Sequence, residues 1–248
     1  MGRDIDATNA LTAASGGASK RDYVRRVFSE IAPRYDLLNH TLSLNIDRGW
    51  RRRAIEALEW RRNPSGMYVD LCAGTLDVAV MLAANAGFTG QVLAADFAEP
   101  MLRAGLDKAR GRRVSAVVSD ALVLPVADRG AAGAIVAFGI RNVVDLDAAL
   151  REVHRVLAPR ARFVILEFTT PSNPVMRGLY HFYFHRVLPA IGGVVSGHPT
   201  AYRYLPESVA HFPGPSELME RMQTAGFVDV HWRSLTFGIA AIHTGIKR

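Results

Sequence analysis

Met67-Tyr68-Val69-Asp70-Leu71-Cys72-Ala73-Gly74-Thr75-Leu76-Asp77 reads as a buried strand, a glycine-bearing turn and the start of a helix. A glycine at position 74 lets the backbone come close to a ligand, and the helix N-terminus beyond it offers unbonded N–H groups. Working outward, apolar runs and helical patterns alternate. Strands are predicted over Met67–Leu71, Gln91–Asp96, Val114–Ser119, Ala132–Phe138 and Phe163–Phe168. Helices are predicted over Asp77–Ala86, Pro100–Arg110 and Asp145–Leu157. In the last of these Leu146, Ala149, Leu150, Val153, Val156 and Leu157 share one face, with Asp145 at the N-cap. Alternation at this spacing implies a doubly wound parallel α/β sheet with helices on both faces.

The ends of these strands carry the candidate chemistry. Asp96 closes the second strand, where a carboxylate can accept hydrogen bonds from both hydroxyls of a ribose. The glycines of a dinucleotide fingerprint are missing apart from Gly74, which disfavours a pyrophosphate cofactor. An adenosine ligand without phosphates, such as S-adenosylmethionine, fits better. Asp120-Ala121, after the third strand, can serve the adenine through a carboxylate and a neighbouring backbone N–H. The plain structural alternative is that Gly74 only permits the turn and Asp96 only caps the next helix.

Two helical segments precede the first strand. Tyr23, Val27 and Ile31 recur at helical spacing before Pro33, and a second helix begins near Asp47. After Pro171, Met176–Val195 is rich in aromatic residues, Tyr202–Phe212 leads to a helix at Pro215–Ala225, and Val228–Arg233 and Phe237–Lys247 read as strands. The expected organisation is a disordered leader over 1–19 and one domain over 20–248. That domain has a helical cover at 20–62 and a substrate-side insertion at 171–215.

Composition narrows the class. A chain of 248 residues, 49% hydrophobic and 21% charged, is globular rather than disordered, collagen-like or coiled-coil. Its one cysteine, Cys72, excludes an internal disulfide and a multi-cysteine metal site. His181 and His185 lie four apart without a third ligand pattern, so no metal is expected. The net charge of +7 is spread along the chain rather than gathered in an arm, and no nucleic-acid partner is expected. The densest cluster, Arg51-Arg52-Arg53, reads as a solvated helix face. No apolar run reaches the roughly 18 residues of a membrane span, and the leader has no signal core, so a cytoplasmic location is expected.

Several longer motifs carry a family resemblance. Tyr35-Asp36-Leu37-Leu38-Asn39 through Asp47-Arg48-Gly49-Trp50-Arg51 resembles the N-terminal signature of the ubiquinone/menaquinone biosynthesis C-methyltransferases. Phe138-Gly139-Ile140-Arg141-Asn142 resembles their second signature, and Leu166-Glu167-Phe168, Tyr202–Ser208 and Gly238–Lys247 extend the match. The resemblance implies a Rossmann-like class I methyltransferase sheet of seven strands, the last antiparallel. It implies S-adenosylmethionine as cofactor and a polyprenylated benzoquinol or naphthoquinol as substrate.

It also assigns residues. Asp70, Gly74, Thr75, Asp96, Asp120, Ala121 and Ala137 are implied at the cofactor, and Tyr35, Asn39, Asn142 and Tyr202 at the substrate. Three positions depart from the pattern: Leu76 and Asn45 replace glycines, and Ala137 replaces a serine found in some members. If position 76 needs a positive φ, leucine there costs about 1–2 kcal/mol. If it only needs space, the leucine would crowd the cofactor.

Methyl transfer to carbon needs an electron-rich ring. A quinol hydroxyl has a phenol-like pKa of about 10, and a guanidinium beside the oxygen would stabilise the anion that activates the ring. Arg141 is the candidate for that role, and its structural alternative is an ion pair with a carboxylate such as Asp36. His40 is the candidate base, with Tyr35, Asp36, Glu167, Tyr204 and His243 behind it. The aromatic stretch after Met176 either packs as core, lines a prenyl tunnel or rests on a bilayer. In the last case the positive charge aids transient contact with anionic lipid. Two other functions stay open: methylation of a soluble phenol or polyketide, and a non-catalytic quinone-binding role. Monomer and homodimer both stay open.

Overall fold

Short apolar runs pair into one seven-stranded sheet in the computed structural model, which describes residues 18–36, 43, 45–183, 186 and 199–248. The strands are β1 (Met67–Leu71), β2 (Gln91–Asp96), β3 (Val114–Val118), β4 (Ala131–Ala137), β5 (Leu157–Phe168), β6 (Phe227–Leu235) and β7 (Ala240–Lys247). The helices are α1 (Ala18–Ile31), α2 (Ile46–Ala57), α3 (Asp77–Ala83), α4 (Glu99–Ala109), α5 (Leu146–Val156), α6 (Pro174–Phe182), α7 (Pro199–Ala210) and α8 (Pro215–Thr224). Strand order is β3-β2-β1-β4-β5-β7-β6, parallel except for β7, which runs against both β5 and β6.

Period-two alternation decides which face each strand residue joins. Val69, Leu71, Ala134, Val136, Phe163 and Ile165 pack on one side under Leu150 and Val153 of α5 and Leu218 and Met222 of α8. Tyr68, Ile135, Val164 and Leu166 pack on the other under Trp50 and Ile55 of α2, Leu82 of α3 and Leu102 of α4. Each large side chain so buried contributes about 1.5–3 kcal/mol, which is why the alternation fixes the register. Asp145 caps α5 as its position foretells, accepting from Ala148 N–H at 2.9 Å.

Three features differ from the sequence reading. β5 begins at Leu157 rather than Phe163, because a bulge absorbs Pro159 and Arg160: Ala131 pairs with Leu157, but Gly133 pairs with Arg162. Arg51 is no solvated residue: it is buried, ion-paired with Asp47, and its guanidinium sits 5.3 Å over the ring of Phe138. Only Arg52 and Arg53 of that cluster are exposed. α1 starts at Ala18, inside the span read as leader, while residues 1–17 lie outside the described residues. Most of the loop from Leu37 to Leu44, and most of the insertion between Phe184 and His198, lie outside them as well.

Candidate functional site

Strand order reverses between β1 and β4, and the cleft opened there at the carboxyl ends of the strands is where such sheets bind ligands. A cavity of ≈ 770 Å³, counting its open mouth, occupies this place. Gly74, Asp96, Asp120, Ala121, Ala137 and Asn142 are in its wall, joined by Arg21, Phe28 and Tyr35 from the N-terminal cover.

The turn after β1 is left-handed at three points, Cys72 (φ 50), Gly74 (φ 52) and Leu76 (φ 69). That sharp path aims Gly74 N–H at Asp96, whose Oδ2 accepts it at 2.8 Å while Oδ1 accepts from Ala98 N–H at 2.8 Å. A carboxylate has about four lone-pair positions, so at least one remains for a ligand hydroxyl beside the N–H groups already bound. Asp96 therefore holds the turn into α4 and also stands in the cavity wall. Burial pushes its pKa up, opposed by the N–H groups of Ala98, Gly74 and Phe97.

Asp70 lies beneath the turn rather than in the cavity wall. It is 1% exposed, and its Oδ2 accepts from Ala79 N–H at 3.0 Å, fastening α3 to β1. Burial raises its pKa to about 8. The native state thus holds a proton that the unfolded chain releases near pH 4, so stability is full in acid and falls as pH rises toward 8. Melting curves across about pH 6 to 8 are expected to show this fall in the wild type and a flatter profile in Asp70→Asn.

Leu76 resolves the departure seen in the sequence. Its φ of 69 shows that the position needs the left-handed conformation, and its side chain is 0% exposed, in the core rather than against the cavity. Gly105 of α4 makes room: a Cβ there would meet Thr75 O at 2.4 Å and Leu76 Cγ at 2.8 Å. Backbone strain of about 1–2 kcal/mol is outweighed by a buried leucine worth about 2–5 kcal/mol. Leu76→Gly is therefore expected to lose about 1–3 kcal/mol in denaturant unfolding while leaving cofactor affinity within a few-fold. Asn45 is also left-handed (φ 60), a conformation asparagine tolerates better than most residues.

Arg141 is placed differently from the expectation. Its Nη1 lies 2.6 Å from Glu167 Oε1 and also donates to the carbonyl of Phe138, and its Nε donates to Ser208 Oγ at 3.2 Å. Glu167 is 1% exposed and accepts further from Phe168 N–H at 2.9 Å. The partner is thus Glu167, not Asp36, and Arg141 is outside the cavity wall that its neighbour Asn142 joins. Asn142 Oδ1 is buried without a hydrogen-bond partner, an acceptor left for a ligand.

Other candidates separate. Thr75 is buried, and its hydroxyl donates to Asp36 Oδ1. Asp120 holds Leu122 N–H at 3.0 Å and pairs with Arg21 at 3.0 Å. His243 lies on β7, its Nε2 3.0 Å from Pro215 O, with its pKa lowered to about 4 by burial, and it is outside the cavity wall. Tyr204 is buried against Tyr23, ring centroids 5.6 Å apart. His40, Asn39 and His185, and the side chain of Tyr202, lie outside the described residues. Arg21, Phe28 and Lys108 escaped the sequence reading. They sit on ordinary amphipathic helices, where nothing in the pattern marks Arg21 and Phe28 as lining the cavity or Lys108 as pairing with Asp36.

A buried carboxylate on the cavity wall fits a ligand with vicinal hydroxyls, as S-adenosylmethionine has. Comparison with known proteins agrees. Residues 17–247 match the ubiE/COQ5 methyltransferase family. The chain is 49% identical over 221 residues to a demethylmenaquinone methyltransferase of Thermus thermophilus, covering 88% of this chain and 99% of that one. It is 43% identical over 232 residues to the ubiquinone/menaquinone biosynthesis C-methyltransferase UbiE of Geobacter sulfurreducens, covering 92% and 90%. In fold it is similar to a SAM-dependent methyltransferase of Thermotoga maritima, with a TM-score of 0.62 and 17% identity over 90% of this chain and 99% of that one.

Proposed function

The chain belongs to the ubiE/COQ5 methyltransferase family, and on that footing we propose that it moves a methyl group from S-adenosylmethionine to a ring carbon of a polyprenylated quinol. The observation that carries this reading is the cavity at the β1/β4 switch, with Asp96 and Asn142 offering acceptors on its wall. Bound there, the cofactor supplies an electrophilic sulfonium methyl. Asp96 and the Gly74 turn would hold the ribose and Asp120 and Ala121 the adenine, with Phe28 and Tyr35 walling that side of the cavity against water. Asn142 orients the quinol hydroxyl through its unpartnered Oδ1, and Arg141 acts on it indirectly by fixing the turn 138–142.

Both curated relatives include menaquinone in their names, so a demethylated naphthoquinol is the first substrate to assay, with a benzoquinol second. Purified protein, chemically reduced quinone and S-adenosylmethionine should yield the C-methylated quinone by mass spectrometry. Methylation of soluble phenols with neither quinol consumed would replace this reading by the soluble-substrate one.

Contact with a membrane surface is part of the same proposal. Val175, Leu179 and Phe182 of α6 are 67%, 58% and 63% exposed and fall at i, i+4 and i+7 on one face. Arg177 and His181 on the same helix are exposed as well. Among the described residues no helix is long and apolar enough to cross a membrane. A cytoplasmic enzyme seated peripherally by α6 would meet a lipid-borne substrate where it resides. Sedimentation with anionic vesicles should retain the wild type and release a Leu179→Asp/Phe182→Asp variant; equal retention would remove α6 from the contact, and no retention of the wild type would remove the membrane from the account.

A further inference from the structure

Residues 18–36 run along the cofactor cavity and are fastened to its rim at both ends. At the first, Arg21 Nη2 lies 3.0 Å from Asp120 Oδ2, and Lys20 Nζ donates to the carbonyl of Arg141 at 2.9 Å. At the second, Asp36 accepts from the hydroxyl of Thr75 and from Lys108 Nζ at 2.7 Å, and Lys108 also donates to Asp77 at 2.6 Å. The Thr75 hydroxyl has one proton, and it is committed to Asp36.

Between these fastenings the segment builds small clusters of its own. Tyr23, Val24 and Val27 pack with Tyr204, while Ala32 packs with Ala98 and Met101. Neither cluster belongs to the two large cores on the faces of the sheet. A segment held by satellite clusters and polar contacts opens at a lower free-energy cost than the sheet beneath it.

We propose that residues 18–36 form a strap that retains the cofactor, with Arg21 and Asp36 as positioning residues whose release precedes product departure. The inference rests on assigning the cavity to S-adenosylmethionine. Asp120 and Thr75 sit at the ends of the third strand and of the β1 turn, so the two fastenings span the cleft rather than one corner of it. Phe28 and Tyr35 then form a wall that the sheet itself does not provide. The fastening charges are part-exposed, with the Arg21 side chain 60% and Lys108 31% accessible, so salt weakens them.

Release of S-adenosylhomocysteine, followed by rapid-mixing displacement, tests this in the full-length protein. Arg21→Met and Asp36→Asn should each speed release by roughly three- to ten-fold, and the double variant by more. Raising ionic strength should speed release in the wild type and act less on the double variant. Arg21→Lys should restore slow release in part. A role confined to stability would lower the melting temperature and leave both the release rate and its salt dependence unmoved. Release within about twofold of wild type in a folded double variant, with an unchanged salt slope, overturns the strap. Failure of the wild type to bind S-adenosylhomocysteine at all overturns the cofactor assignment itself, and the strap with it.

Discussion

Asp96→Ala is expected to weaken binding of S-adenosylmethionine and S-adenosylhomocysteine by roughly 100- to 1,000-fold. Two losses combine. The N–H groups of Gly74 and Ala98, each 2.8 Å from a carboxylate oxygen in the native protein, lose their acceptor, at about 1–3 kcal/mol apiece. The ribose loses its charge-assisted acceptor, worth about 1.5–3 kcal/mol. Part of the first loss is felt by the free protein as well, and only the part realised on binding appears in the dissociation constant. Asp96→Asn keeps the shape but turns an amide NH₂ toward a backbone N–H, so an intermediate loss of about 10- to 100-fold is expected. Calorimetric titration with S-adenosylhomocysteine reads both. Affinity for Asp96→Ala within threefold of wild type would remove Asp96 from the cofactor site.

The second large effect is on stability. Arg141→Ala leaves Glu167, 1% exposed, without its charged partner. Removing one side of a buried pair costs about 3–5 kcal/mol, because the remaining charge is desolvated and uncompensated. For a domain of this size that corresponds to a fall in melting temperature of roughly 6–20 °C. An apolar pair at the same places, Arg141→Met with Glu167→Leu, is expected to recover most of that fall. Differential scanning calorimetry of the three proteins decides it. Equal melting temperatures for wild type and Arg141→Ala would mean that the pair contributes nothing to stability. Turnover measured on the stable double variant then reads what the Arg141–Glu167 pair contributes to catalysis, apart from unfolding.

Most of the sheet was legible because its signals are local. Five apolar runs locate β1 to β5 to within a residue at their carboxyl ends. The amino end of β5 was missed because Pro159 and Arg160 break the pattern, and only pairing with β4 shows that the strand continues around them. Asp96 and Asp120 were legible as strand-end carboxylates. Asp70 was placed at the same site by resemblance, yet the register of β1 points it under the turn.

What the sequence by itself determined is the alternation of elements, the position of the glycine turn, and hence the end of the sheet where a ligand binds. These follow from period, propensity and strand handedness, which act within a few residues. Tertiary structure alone decided which distant charges pair: Arg141 with Glu167, and Arg21 with Asp120. The choice of partner depends on which helix lands beside which strand, and the Coulomb and desolvation terms that set it act through space rather than along the chain. The left-handed turn at Leu76 belongs to both. The leucine is plain in the sequence, but that its side chain enters the core and spares the cavity follows only from the gap left by Gly105.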